Sequence, residues 1–252
     1  MIQLENLTKK YGDFAALTDL NLTIPRGVLY GLLGPNGAGK TTALRIIAGI
    51  LQPTEGAVLV GGHDVQRDPE RAKSQLGFIP DRPFIYEKLT GSEFLRFVAG
   101  LYGQNGTEVE RRIDELLNFW GLTTWGDELL EAYSHGMRQK LIISSALIHR
   151  PDVIVVDEPL VGLDPKAARL LKDIFRGFVE RGGTVLMSTH TLEVAEALCD
   201  RIAIIQNGQI CAEGTMDDLR RDARAGDAGL EEIFLKLTGG HEVQELLEVL
   251  GS

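Results

Sequence analysis

Apolar and polar positions change their period along the chain, and the changes mark out its elements. In residues 1–33, Leu20, Leu22 and Ile24 alternate with polar neighbours, the period of a half-buried strand. Val28 to Leu33 is an apolar run of strand length, and Leu44, Ile46, Ile47 and Ile50 then supply a helical apolar face. Ala57 to Val60 predicts another strand with Gly61-Gly62 as its turn. Leu76 to Ile79 predicts a short one leading into a loop from Pro80 to Pro83.

From about 84 to 149 the period is helical. Thr90 with Glu93 three residues on reads as a capping box. Phe94, Phe97, Val98 and Leu101 then fall on one helical face, and Val109, Ile113, Leu116 and Leu117 on another. Ser134 opens a third helix carrying Leu141, Ile142, Ala146 and Leu147. Strand patterns return at 153–156, 184–187 and 202–205 as continuous apolar runs, which suit strands buried on both faces. Between them, Asp164-Pro165 reads as a cap followed by proline in the first helical turn. This alternation predicts an α/β fold, a mostly parallel sheet covered by helices, with an α-helical subdomain inserted at about 84–149. Two periodic stretches close the chain: Leu230, Ile233, Phe234 and Leu237, then Val243, Leu246, Leu247 and Leu250. Each fits a helix packed on its own domain or a contact with a second copy.

Composition narrows the partners. With 36 acidic and 26 basic residues the net charge is −10, which argues against a broad nucleic-acid surface, so no nucleic-acid partner is expected. No apolar run approaches the ~20 residues that span a bilayer. Met1-Ile2-Gln3-Leu4-Glu5 lacks the basic and apolar regions of a signal peptide. A cytoplasmic chain is expected, held at a membrane only through another protein. Cys199 and Cys211 have no metal-like spacing and read as buried small apolar residues.

The chemistry concentrates in Gly34-Pro35-Asn36-Gly37-Ala38-Gly39-Lys40-Thr41-Thr42, which fits the phosphate-loop pattern in its required strand–loop–helix context. Backbone N–H groups surround a polyphosphate only where no Cβ intervenes, a task for Gly34, Gly37 and Gly39. The following helix N-terminus adds partial positive charge, Lys40 reaches the outer phosphates, and the Thr41 hydroxyl suits magnesium. Val153-Ile154-Val155-Val156 ends in Asp157-Glu158. Asp157 at a strand tip suits Mg2+, and Glu158 suits a general base for an attacking water. Tyr133-Ser134-His135-Gly136-Met137-Arg138-Gln139 places a hydroxyl and a glycine amide at a helix start. That is either a second anion site or an ordinary N-cap.

Taken together, these motifs resemble the nucleotide-binding subunit of an ATP-binding-cassette (ABC) transporter. Gly34 to Thr42 is similar to the family's Walker A motif, and Val153 to Glu158 to Walker B with its catalytic glutamate. Ser134-His135-Gly136-Met137 is similar to the signature in variant form, Gly162-Leu163-Asp164 to the D-loop, and Ser188-Thr189-His190 to the segment ending in the switch histidine. Tyr11 stands where the family places an aromatic ring against adenine. The resemblance runs from about residue 2 to 215 with the motifs in order. It implies a P-loop NTPase core with an N-terminal antiparallel β subdomain, and leaves 216–252 as a C-terminal helical extension.

The resemblance also implies ATP and Mg2+ as ligands, separate transmembrane permease subunits, and a second nucleotide-binding subunit paired head to tail. Ser134 and Gly136 of one copy would face ATP held by Lys40 and Thr41 of the other. Asp164 lies in the D-loop, and His190 would steady the γ-phosphate. Two positions depart from the family pattern. Asp81 stands where a glutamine usually senses magnesium and the membrane partner, and His135-Gly136-Met137 replaces the usual Gly-Gly-Gln. The Tyr-Ser-x-Gly-Met-x-Gln run and Tyr86-Glu87-Lys88-Leu89-Thr90-Gly91 resemble the exporter-type subgroup. A soluble ATP-gated assembly switch built on the same cassette is the alternative, although no tandem cassette, zinc cysteines or long coiled coil is visible. A GTPase would need Asn-Lys-x-Asp, which is absent. The transported substrate is not encoded in this chain.

Overall fold

A computed structural model describes residues 1–81, 84–160, 163–224, 226 and 228–238. The chain opens with a hairpin of β1 (Ile2–Tyr11) and β2 (Phe14–Ile24). Then come β3 (Leu29–Leu33), α1 (Lys40–Ile47), β4 (Glu55–Val60), β5 (His63–Asp64), α2 (Pro69–Ser74) and β6 (Leu76–Ile79). Three helices follow before the next strand: α3 (Gly91–Leu101), α4 (Thr107–Phe119) and α5 (His135–Leu147). The remainder is β7 (Val153–Asp157), α6 (Pro165–Glu180), β8 (Thr184–Thr189), α7 (Leu192–Leu198), β9 (Arg201–Gln206), β10 (Gln209–Gly214), α8 (Met216–Asp222) and α9 (Leu230–Thr238).

Two sheets form. One is antiparallel, ordered β2-β1-β4-β5. The other is ordered β10-β9-β3-β8-β7-β6, parallel throughout except that β10 runs against β9. Every residue of β3, β7 and β8 is buried, as their unbroken apolar runs require. Alternate side chains of β3 serve different cores. Leu29 and Leu33 pack with the helices α3 to α7, while Tyr30 and Leu32 pack with α1 and the antiparallel sheet. Because the three central strands run in parallel and in register, with Leu33 beside Thr189 and Asp157 beside Ser188, their C-terminal tips lie together at one edge. Loops at such an edge are where open α/β sheets bind ligands.

The helix starts follow their predicted caps. Thr90 Oγ1 accepts from the Glu93 N–H (3.2 Å) while Glu93 Oε2 accepts from the Thr90 N–H (2.8 Å). Asp164 Oδ1 accepts from the Ala167 N–H at 2.9 Å and opens α6.

Three expectations need correction, and one open alternative is resolved. The face Phe94, Phe97, Val98, Leu101 is not the one α3 buries. Its inward residues are Gly91, Phe94, Leu95 and Ala99, while Phe97 is 42% and Leu101 68% exposed. Small residues decide the rotation: Gly91 lies against the Tyr133 hydroxyl, where a Cβ would collide. Ile50 does not extend the α1 face but lies beyond its end, exposed, because Gly49 adopts a left-handed φ of 64° and terminates the helix. Cys199 is buried as expected, but Cys211 is exposed, on the solvent side of the edge strand β10. Of the two closing stretches, the first packs on its own domain: Leu230 and Ile233 are fully buried, with Phe234 and Leu237 against the same core. The second, 243–250, lies outside the described residues. Among the described residues no helix is long and apolar enough to cross a membrane.

Candidate active site

The loop after β3 is shaped first by the fold. A Cβ on Gly34 would run into the Ile205 carbonyl oxygen. One on Gly39, whose φ is 106°, would lie 2.6 Å from the Ala16 carbonyl oxygen. Gly37 has a φ of 81° but open space around it. Two of the three glycines thus let the loop pass beneath β9 and β2, and the third turns its backbone toward an open cleft. Gly39 also offers no side chain to cap α1, so among the described residues no side chain caps the first N–H groups of that helix. Lys40, only 6% exposed, folds along the loop, its Nζ donating to the carbonyls of Gly34 (2.7 Å) and Pro35 (3.0 Å). Burial lowers its pKa, opposed by the carboxylates of Glu158 and Asp157.

The acidic pair sits at the tip of β7. Asp157 is 2% exposed, and its Oδ1 accepts a 2.5 Å hydrogen bond from Ser188 Oγ on β8. The Glu158 N–H is shared between the Ser188 carbonyl and Ser188 Oγ, each at 3.2 Å. One serine therefore orients both acidic residues. Glu158 takes a left-handed φ of 50°, an uncommon backbone for a non-glycine residue and one concentrated at functional sites. That turn swings its side chain to His190, just past β8, with Oε1 2.8 Å from the ring Nδ1.

These groups meet in one cleft of about 500 Å³, lined by Tyr11, Phe14, Ala16, Asn36, Gly37, Ala38, Gly39, Lys40, Thr41, Thr42, Asp81, Asp157, Glu158 and His190. Sequence reasoning pointed to all of these except Phe14 and Ala16. Tyr11 and Phe14 are paired neighbours flanking the β1–β2 turn, 50% and 63% exposed, and Lys9 Nζ lies 5.1 Å from the centre of the Tyr11 ring. An exposed aromatic directly across a hairpin from Tyr11 was the available signal for Phe14. Ser188 stands out in the sequence only as the first residue of Ser188-Thr189-His190; a hydroxyl inside an apolar strand is its signal. Oxygen donors from Thr41, Asp157 and Asp81 share the cleft, a set that fits a hard divalent cation completed by phosphate and water.

Other predicted residues stand elsewhere. Gly34 and Pro35 lie behind the cleft and hold Lys40 through their carbonyls. Ser134 caps α5, its Oγ accepting from the Met137 N–H at 3.3 Å. A Cβ on Gly136 would meet nothing within 4 Å. Neither residue lines the cleft, and neither does Asp164. Gly162, and Arg82 and Pro83 after Asp81, lie outside the described residues.

A parallel sheet whose central strand feeds a glycine loop into a helix, with an acidic strand tip beside it, defines a P-loop NTPase. The ABC transporter family matches residues 17–161, more than half of the chain, and the chain belongs to that family as an ATP-binding cassette. It is 36% identical over 240 residues to the probable multidrug ABC transporter ATP-binding protein YbhF of Escherichia coli strain K12. That match covers 94% of this chain and 41% of YbhF, so the chain spans less than half the length of that relative. Among solved structures, the ATP-binding subunit of an ABC transporter aligns with a TM-score of 0.89 and 36% identity, covering 94% of this chain and 99% of that one. The ATP-binding cassette MJ0796, solved as a dimer bound to ADP and Pi, aligns with a TM-score of 0.78 and 27% identity, over 86% and 99%.

Proposed function

We propose that this chain is the ATP-hydrolysing nucleotide-binding subunit of an exporter-type ABC transporter. Residues 1–215 form the cassette, with its helical subdomain at about 84–149, and 216–252 are read as a C-terminal helical extension, of which 239–252 lie outside the described residues. The observation that carries this reading is the convergence of Lys40, Asp157, Glu158 and His190 on one cleft. The loop amides and the α1 N-terminus hold the phosphates of ATP, with Lys40 on the outer ones. Tyr11 and Phe14 supply aromatic surface for adenine. Mg2+ would be held by Thr41 and Asp157, with Asp81 nearby, and would supply charge neutralisation of the triphosphate. Glu158 accepts the proton of the attacking water, and His190 steadies both that carboxylate and the γ-phosphate.

Pairing of two copies is the second part of the reading. Among the described residues no neighbour comes within 4 Å of where a Cβ on Gly136 would stand, so packing does not call for glycine there. An open amide face at a helix start suits an anion brought by another molecule, and a solved cassette relative is dimeric with ADP and Pi bound. Ser134 and Gly136 of each copy then seat on ATP held by the other, with Asp164 at the same junction. Hydrolysis removes that bridge. The opening motion drives permease subunits docked near residues 81–100, where Phe84, Tyr86 and Phe97 expose apolar surface. The chain works at the inner face of the membrane through those subunits. Export is supported by subgroup likeness and by a relative named for multidrug transport.

Titration calorimetry with Mg-ATP tests the core of the proposal. Wild type is expected to bind, and Lys40→Ala to lose binding or turnover; a folded wild type that gives no heat contradicts it.

A further inference from the structure

We propose that Arg138 positions the Ser134 anion site and ties it mechanically to the segment 84–90. The inference rests on the reading that Ser134 of one copy seats on nucleotide held by another. Arg138 lies in the first turn of α5, outside the nucleotide cleft. Its guanidinium grips three acceptors at once. Nε donates to the Tyr133 carbonyl (3.1 Å), Nη2 to the Glu131 carbonyl (3.2 Å), and Nη1 to Glu87 Oε1 (3.0 Å). The first two belong to the segment entering Ser134, a 3-10 turn over Leu130–Ala132 followed by the extended Tyr133, and the third sits one residue from Tyr86. An exposed ion pair alone contributes ~0–1 kcal/mol, but this side chain is 28% exposed and its planar fork fixes two backbone carbonyls as well.

The surroundings make the link stiff. The Glu131 N–H donates to the Glu87 carbonyl (3.1 Å) and the Leu130 N–H to the Leu89 carbonyl (2.9 Å). Lys88 Nζ donates to Glu131 Oε2 (2.5 Å), and the Tyr133 hydroxyl donates to the Trp125 carbonyl (2.6 Å). Residues 86–90 and 129–133 thus form one stitched unit with Arg138 as its hub. At the other end of that unit, Tyr86 packs edge-on against Phe84 (5.9 Å) and Phe97 (5.5 Å), an aromatic cluster left largely exposed. A push on the cluster moves Glu87. The rigid guanidinium carries the displacement to the Glu131 and Tyr133 carbonyls, just ahead of Ser134.

The test uses the full chain carrying Glu158→Gln, with two readouts: affinity of the monomer for a fluorescent ATP analogue, and the ATP concentration that half-forms the dimer by light scattering. Arg138→Lys keeps the charge but not the fork, and is expected to raise the half-dimerisation concentration about tenfold while leaving analogue affinity within about twofold. Glu87→Ala is expected to raise it about threefold, and adding it to Arg138→Lys to change nothing further, because the two act through one contact. Ser134→Ala is the control for the underlying reading. If the parent stays monomeric with ATP, or Ser134→Ala dimerises like the parent, that reading fails. If Ser134→Ala loses the dimer while Arg138→Lys and Glu87→Ala keep it, the role of Arg138 is overturned. Loss of thermal stability in Arg138→Lys leaves Glu87→Ala, at an exposed position, to decide: an unchanged dimer in that variant overturns the tie.

Discussion

Oε1 of Glu158 lies 2.8 Å from Nδ1 of His190, and the left-handed backbone of Glu158 brings the two together. The carboxylate side chain is 15% exposed and the imidazole 55%. The histidine therefore stands on the solvent side of a mostly buried carboxylate and fixes its direction. Replacing it should disturb chemistry more than binding. His190→Ala is expected to lower the rate of phosphate release by about 10²-fold with ATP affinity changed only a few-fold. Parallel losses in affinity and rate would assign His190 to nucleotide binding instead.

Tyr11 and Phe14 make a sharper prediction about the base. Stacking a nucleobase on an aromatic side chain contributes ~1–3 kcal/mol by alanine substitution, so Phe14→Ala and Tyr11→Ala are each expected to weaken ATP binding about tenfold or more. Neither should change the affinity for inorganic triphosphate, which has no base. Equal losses for both ligands in a competition assay would remove the pair from adenine recognition.

His149 gives the fold a pH dependence that its chemistry does not need. The residue is 6% exposed, its ring stacks on Tyr102 at 3.7 Å, and Nε2 lies 3.2 Å from the Leu76 carbonyl oxygen. Burial lowers its pKa from 6.5 to about 4, against the raising effect of the Leu76 bond. Between those values the unfolded chain holds a proton that the folded chain does not. Stability is therefore fully present above about pH 6.5 and declines toward pH 4, by up to ~3 kcal/mol. Urea midpoints at pH 7 and pH 5 should differ in wild type and converge in His149→Gln; an unchanged difference in the variant would place the titration elsewhere.

The sequence made the cleft legible where local chemistry and local spacing coincide. A nine-residue glycine-rich motif joining a strand to a helix, and two carboxylates ending an apolar run, keep their meaning without tertiary information. Less legible were features decided by packing. Four apolar residues at helical spacing named a face of α3, yet Gly91 beneath the Tyr133 hydroxyl and Ala99 turned Phe97 and Leu101 to the surface. Gly34 reads as a phosphate glycine, but the Ile205 carbonyl excludes any side chain there before a ligand is considered. Ser188 orients both acidic residues from the neighbouring strand, and only the parallel register of β7 and β8 places it there. Cys211, alternating outward on an edge strand, shows the same dependence on position in the sheet.

The account stands on Glu158 as the base in a cleft that binds ATP, and one variant tests it most directly. Glu158→Gln, assayed with Mg-ATP for both phosphate release and molecular mass, is expected to bind ATP, to hydrolyse it at least about 10²-fold more slowly than wild type, and to accumulate as a long-lived dimer. A variant that turns over at the wild-type rate and stays monomeric with ATP would contradict the account.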